Sequence, residues 1–450
     1  MSLLTRSLQE NRRTLALAFP IAAGNAGQML MGVADTVMVG KVGVIPLAAC
    51  AFANTVLAVP FVFGFGFLSG VSVRASHAFG AGKAASAGEV LKWGCALALV
   101  TGLFMVLLIQ CGIPLLPLLG QSPEVNRACV NFLILCAWSI IPVFLTSAAK
   151  SYSEALGHPW EPFWIMMGGV LLNIFLNWVF IYGNLGAPAL GLEGAGVATL
   201  ISRIVTMLGV ITFISTSRDF ASYRPRNLLD FRDGKEIRSL IKIGLPAGTM
   251  HLAEVGGFSF GSIMMGWAGV VPLAAHQIAI TCAATIFMIP LGVSQAVSVR
   301  IGQARGARIP GRFLPIAVGA QTVVISLMLI STLVFVLGGH WIARAFVSDP
   351  AVVELTTKLL LMAGIFQIVD GIQIVCSGAL RGFEDTRVPM LIGIFSYWAV
   401  ALPVSYFLAF HTSVGPVGVW IGFVVGLWVA AVSLVWRLWV RIATASKTSK

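Results

Sequence analysis

Charge is scarce in this sequence. Only 10% of its 450 residues are Asp, Glu, Lys or Arg, against 58% hydrophobic ones. Soluble globular domains carry about 25% charged residues, so a water-soluble fold is excluded. The alternating pattern of a spanning β-barrel is also missing, which leaves helices to satisfy the backbone inside a bilayer. The seven cysteines (Cys50, Cys95, Cys111, Cys129, Cys136, Cys282, Cys376) are scattered, with neither metal-ligand spacing nor a disulfide framework. The six histidines, His77, His158, His251, His276, His340 and His411, form no ligand cluster in the sequence. A phosphate loop is lacking too. The run Ala78-Phe79-Gly80-Ala81-Gly82-Lys83 comes nearest, but His77 stands where the first glycine belongs and Ala84 where Ser or Thr belongs. No enzyme is therefore expected, and no cofactor or nucleotide. Any work the chain does must draw on an ion gradient.

Long apolar runs are what the sequence has in abundance. A spanning helix needs about 20 such residues. Twelve spans are expected, near 14–37, 47–77, 90–113, 129–150, 161–184, 191–216, 236–262, 273–300, 315–340, 353–380, 388–411 and 416–440. The fold class is thus an all-α polytopic membrane protein. Of 29 Lys and Arg, only Lys41, Arg127, Arg344 and Lys358 fall in the odd-numbered loops, and the rest are counted on the side of the termini. By the positive-inside rule both termini are cytoplasmic, in a cytoplasmic (inner) membrane. The net charge of +12 is therefore a topological signal and not a nucleic-acid patch.

The chain is one unit written twice. At an offset of 226 residues, Pro20 meets Pro246, the run from Pro46 to Ala49 meets Pro272 to Ala275, and Val71-Ser72-Val73-Arg74 meets Val297-Ser298-Val299-Arg300. Gly80 and Ala81 then meet Gly306 and Ala307. Six spans per half give both halves the same orientation, a parallel repeat of the kind that binds substrate between its halves and rocks. The expected organisation is an N-terminal lobe at 1–216, a cytoplasmic connector at 217–235 and a C-terminal lobe at 236–450. The duplication supplies two lobes in one chain, so a monomer suffices. Pro20 and Pro246 either kink their helices or sit in a first turn.

Three lone carboxylates lie inside the spans: Asp35, Glu254 and Asp370. A charge at the bilayer centre costs roughly 2.5–3.5 kcal/mol on insertion scales. At the repeat offset Asp35 faces Gly261 and Gln28 faces Glu254, so each half carries an acid on its first helix, seven residues or about 10.5 Å apart in depth. Asp370 has no acidic twin, its rough counterpart being Thr146. A carboxylate in low dielectric takes up a proton, binds a metal ion or pairs with a cationic ligand, and these states compete for the same oxygens. Such a site can exchange an inward H+ or Na+ for an outward organic cation. Asn173 and Asn177, at i and i+4, share a helix face with Asp35 a candidate partner. Gln28, Gln277, Gln367 and Gln373 are further polar candidates. Phe63, Phe65, Phe67, Trp267, Tyr397 and Trp398 are candidates to line a cavity for flat cations.

These residues also carry a family resemblance. Ala34-Asp35-Thr36, the block from Ser72-Val73-Arg74 to Gly80-Ala81-Gly82, and Gly191-Leu192 with Gly194-Ala195-Gly196 all fit it. So does Gly378-Ala379-Leu380-Arg381-Gly382 with Asp385-Thr386-Arg387. Over essentially its whole length the chain resembles the multidrug and toxic compound extrusion (MATE) family, and most its NorM-type bacterial branch. The resemblance implies two pseudo-symmetric six-helix bundles around a V-shaped central cleft, and export of cationic, often aromatic drugs in exchange for Na+ or H+. It implies coupling roles for Asp35, beside Asn173 and Asn177, and for Glu254 and Asp370, with the latter two as a Na+ site. Some relatives carry an acid where this chain has Asn177.

The expected function is secondary-active efflux of small organic cations across a lipid bilayer by alternating access. A flippase for lipid-linked precursors is the alternative, and would favour a cleft rich in Arg and Lys. The spans instead hold acids. A channel is disfavoured, because no filter-like loop interrupts the spans.

Overall fold

A computed structural model describes residues 3–225, 227 and 234–447. Among these the chain is helical almost throughout. The first half runs α1 Leu3–Gly40, α2 Val44–Gly80, α3 Ala84–Gly112, α4 Pro123–Trp138, α5 Ile140–Ala155, α6 Trp160–Tyr182 and α7 Leu192–Thr216. The second runs α8 Lys235–Ala268, α9 Val270–Gly306, α10 Phe313–Phe346, α11 Pro350–Gly382, α12 Arg387–Ile394, α13 Leu402–Phe410 and α14 Val417–Lys447. The repeat is visible in the boundaries, since α2 and α9 begin and end at residues 226 apart. Both halves also start an equivalent helix the same way. Ser122 caps α4 ahead of Pro123, and Asp349 caps α11 ahead of Pro350, its carboxylate accepting from the N–H groups of Ala351 and Val352.

Eleven segments of the described residues are long and apolar enough to cross a membrane. The remaining expected span, the seventh at 236–262, falls on α8, which has the length at 34 residues but not the apolarity. His251, Glu254 and the glycines of its second half dilute it. The fourth span is two helices, broken at Ser139, because Pro142 has no N–H to offer the preceding turn. Its counterpart α11 is continuous. The eleventh span is α12 and α13 joined by a π-helical turn, Phe395–Ala401. Pro403 just beyond it cannot donate to the turn before, and the helix widens there. Pro20 and Pro246 lie well inside α1 and α8, which removes the first-turn alternative.

The chain forms two compact units whose limits are not those of the sequence halves. One unit is Ala23–Gly248; the other combines Met1–Ala22 with Thr249–Lys450. We call these the first and second units. Both divisions fall at the same point of the repeat, two residues after Pro20 and Pro246, so the start of each first helix belongs with the opposite half. The lobes expected at 1–216 and 236–450 thus exchange their opening segments. The expected connector at 217–235 lies partly outside the described residues. Its described part includes a turn, Arg218–Tyr223, that buries Phe220.

Close packing and two ion clusters hold the exchanged segments. In the first unit, a side chain on Gly244 of α8 would run into the Phe67 carbonyl of α2. In the second, one on Gly292 of α9 would strike the Ala22 backbone of α1. Arg74 of α2 grips Glu236 with both ends of its fork, at 2.9 and 3.1 Å. Arg300 of α9 binds the Glu10 carboxylate and donates to the Glu10 carbonyl and to Thr14 Oγ1, each at 2.6 Å. Arg312 adds a second fork to Glu10, at 3.0 and 3.1 Å. At the offset of 226, Arg74 is the twin of Arg300 and Glu10 of Glu236.

Candidate functional site

The first unit gathers polar side chains from α1, α6 and α7 around Asp35. Asn173 and Asn177, one turn apart on α6, are fully buried and hydrogen-bonded to each other at 3.2 Å. Asn177 Nδ2 donates to Asp35 Oδ1 at 2.5 Å. Thr199 of α7 donates to Asp35 Oδ2 at 3.3 Å and accepts from Asn173 at 3.3 Å. Inside a bilayer such groups need partners, and the four supply one another except at Asn177 Oδ1, which is buried and has no partner among the described residues. Asp35 itself is half-buried, and its carboxylate is tied to α6 through Asn177 and to α7 through Thr199.

One turn past Thr199 on the same face stands Arg203, midway along α7. Counting charges by loop places it on the side of the termini, although the expected span at 191–216 and the observed α7 both contain it. Its Nη1 donates to Ser139 Oγ at 2.6 Å, the residue at the α4–α5 break. Its guanidinium lies over the Phe61 ring, 5.0 Å from the centroid. No carboxylate among the described residues forms an ion pair with it, though it lies within electrostatic reach of Asp35. The first unit therefore carries an acid and a base.

The second unit carries two acids. Glu254 of α8 and Asp370 of α11 are buried at 6% and 5% exposure. Tyr397, held in the π-helical turn and buried, donates to Glu254 Oε1 at 3.0 Å. Gln373, one turn from Asp370, donates to the Tyr397 hydroxyl at 3.3 Å. His251 Nδ1 sits 3.5 Å from Glu254 Oε2. Asp370 Oδ1 is buried and has no hydrogen-bond partner among the described residues. The two acids with Tyr397 and Gln373 offer carboxylate, phenol and amide oxygens, the set a hard cation prefers. No group of three or more His, Cys, Asp or Glu side chains converges among the described residues. The neighbouring Gln367 accepts from Ser331 at 2.7 Å instead.

Two expected polar residues stay outside these networks. Gln28 and Gln277 are exposed, and neither side chain hydrogen-bonds within the described residues. Thr146, the counterpart of Asp370, spends its hydroxyl on the Pro142 carbonyl at 2.7 Å. Sequence reasoning passed over Thr199 and Arg203. Nothing marks a helical threonine, which can satisfy itself on its own backbone. Arg203 carried the same signal as the three acids, a lone charge in an apolar run.

A family model described as MatE matches residues 20–179 and again 246–407. The chain belongs to the MatE family. The two matches begin 226 residues apart, the offset of the internal repeat. A probable multidrug resistance protein NorM of Bradyrhizobium diazoefficiens is 38% identical over 428 residues, covering 94% of this chain and 92% of that protein. A protein of the same description from Rhodopseudomonas palustris is 36% identical over 428 residues, covering 94% and 90%. Among solved structures, the eukaryotic MATE transporter AtDTX14 matches with a TM-score of 0.87 at 19% identity, covering 99% of this chain and 100% of that one. A MATE in the bent conformation matches with a TM-score of 0.88 at 23% identity, covering 100% and 99%. At such identities these structures establish the MatE fold alone. With its apolar helices, this MatE chain is an integral membrane protein of a transporter family.

Proposed function

We propose that this chain is a secondary-active multidrug antiporter of the cytoplasmic membrane, expelling organic cations in exchange for Na+ or H+. It is a transporter and not an enzyme, works as a monomer, and keeps both termini cytoplasmic. The observation that carries the reading is Asp370, a buried carboxylate with an unpartnered oxygen, beside the buried acid Glu254. Two neighbouring acids in so dry a place are stable only when a proton or a cation offsets their charge. Glu254 and Asp370 are accordingly the coupling-ion site, with Tyr397 and Gln373 as neutral ligands. Asp35, half-buried and braced by Asn177 and Thr199, receives the organic cation. The multidrug resistance named for the relatives supports efflux as the direction of transport.

The test is ethidium flux in proteoliposomes, with a Na+ gradient and a pH gradient imposed separately. Flux driven by Na+ alone assigns Na+ to Glu254 and Asp370. Flux driven only by pH assigns protons. Absence of flux under either gradient overturns the reading.

A further inference from the structure

We propose that the end of the second unit where α12 starts and α14 finishes holds the headgroup of an anionic phospholipid, with Arg387, Arg437 and Arg441 as its phosphate ligands. The inference stands apart from the efflux reading. It concerns the bilayer around the chain and not what the chain exports.

Three arginines converge there on one acid. Arg437 Nε donates to Asp385 Oδ2 at 2.9 Å, and Arg441 Nε, one turn on, donates to the same oxygen at 2.8 Å. Asp385 is buried, so two guanidinium groups share one carboxylate and a positive charge is left over. The two arginine side chains are still 26% and 38% exposed, and Arg441 makes no bond through its Nη groups among the described residues. Arg387 begins α12 two residues after Asp385, within about 7 Å of it along the chain. It is exposed and forms no ion pair among the described residues. The adjacent Glu384 is taken by Arg305 at 3.0 Å. A phosphodiester is the acceptor that arginine forks match, and basic clusters between helices at a membrane surface bind anionic headgroups.

The surface that leads away from the arginines suits acyl chains. Arg387, Leu391 and Phe395 follow one another at four-residue steps, and all three are exposed. On α14, which packs against α12, the exposed Trp428, Val432, Trp436 and Trp439 make a second apolar stripe. Trp436 and Trp439 bracket Arg437 in sequence, the mixture of tryptophan and arginine that marks a membrane interface. The fold does not demand these arginines. Beyond Arg203, α7, the counterpart of α14, has no base, and α6 begins Trp160-Glu161 where α12 begins with Arg387. The first unit thus closes the equivalent corner without them, whereas Arg74 and Arg300 recur at the repeat offset and each serves a helix start.

The experiment uses the full chain in detergent, mixed with phosphatidylglycerol and phosphatidylcholine of matched acyl chains. The readout is the ratio of the two lipids that stay with the chain through size-exclusion, measured by mass spectrometry. The wild type is expected to retain phosphatidylglycerol in excess. R387Q removes a charge that pairs with nothing in the fold, and is expected to lower the ratio about fivefold, the effect of one arginine beside an anionic surface. R387Q combined with R441Q is expected to lower it about tenfold or more. R12Q takes the same charge from an exposed arginine of α1 and is expected to leave the ratio unchanged. Equal retention of both lipids by the wild type overturns the inference. So does an unchanged ratio in the double variant, which would leave Arg437 and Arg441 as braces for Asp385 alone. An equal fall in R12Q would mean charge attraction without a site and overturns it too. Loss of the wild-type excess on adding equimolar glycerol phosphate would mean a site for free phosphate esters and overturns the lipid assignment.

Discussion

Glu10 and Glu236 occupy the same place in the repeat, yet their removal is expected to have unequal consequences. Glu236 pairs with one arginine, Arg74, and both side chains are about one-fifth exposed, at 18% and 20%. Losing a charge-assisted bidentate contact that water can partly replace costs about 1.5–3 kcal/mol. Glu10 holds two arginines, and the Arg300 side chain is only 4% exposed. Glu10→Gln therefore strands a buried guanidinium, a loss in the range of roughly 3–5 kcal/mol. The measurement is the thermal midpoint of each variant in detergent, followed by size-exclusion of the heated protein. Glu10→Gln is expected to lower the midpoint clearly more than Glu236→Gln. Removing the stranded charge by Arg300→Met in the Glu10→Gln background is expected to recover part of the loss. Equal shifts for the two glutamates, or the larger shift for Glu236→Gln, would refute the reasoning from burial.

Tyr397→Phe removes the hydroxyl that donates to Glu254 and leaves the buried Gln373 amide without its acceptor. At about 1.5–3 kcal/mol, that is a ten- to hundredfold rise in the half-saturating coupling-ion concentration. Flux measured across a series of Na+ concentrations or pH values checks it, and an unchanged curve counts against the site. Asp35→Asn, Glu254→Gln and Asp370→Asn are each expected to reduce ethidium export about tenfold or more while membrane insertion, followed by immunoblot of washed membranes, stays intact. Full activity in all three sinks the carboxylate mechanism. Asn177→Ala frees Asp35 Oδ1 from its shortest bond and is expected to weaken organic-cation export without changing the coupling-ion curve; a shift in that curve would show that the two units do not divide the work.

The duplication was readable in the sequence because ungapped blocks carrying Pro, Arg and Gly do not recur by chance. The spans and the three acids were readable for one reason: polarity is conspicuous against an apolar background. That same contrast failed at α8, whose His251 and Glu254 make the site and dilute the span. It was also present at Arg203 and was masked by counting charges by loop. Tyr397 stood out only as an aromatic, since its bond to Glu254 depends on a π-helical turn that no periodicity announces. The exchange of helix starts was unreadable in principle. The offset pairs Arg74 with Arg300 and Glu10 with Glu236, but a glutamate meeting its own half's arginine would give the same pattern. Only the fold decides that each meets the other's.

That exchange says something about origins. Half of this chain, made alone, would leave its arginine without a glutamate and its second helix without the opening segment that packs against it. Two copies lending each other their opening turns would satisfy both needs, as in a domain-swapped homodimer. The present molecule has the contacts such a dimer would have after gene fusion, with residues 217–235 as the seam. On that account the two halves, co-expressed as separate polypeptides cut at the seam, should reassemble into a working transporter, while neither half alone should fold.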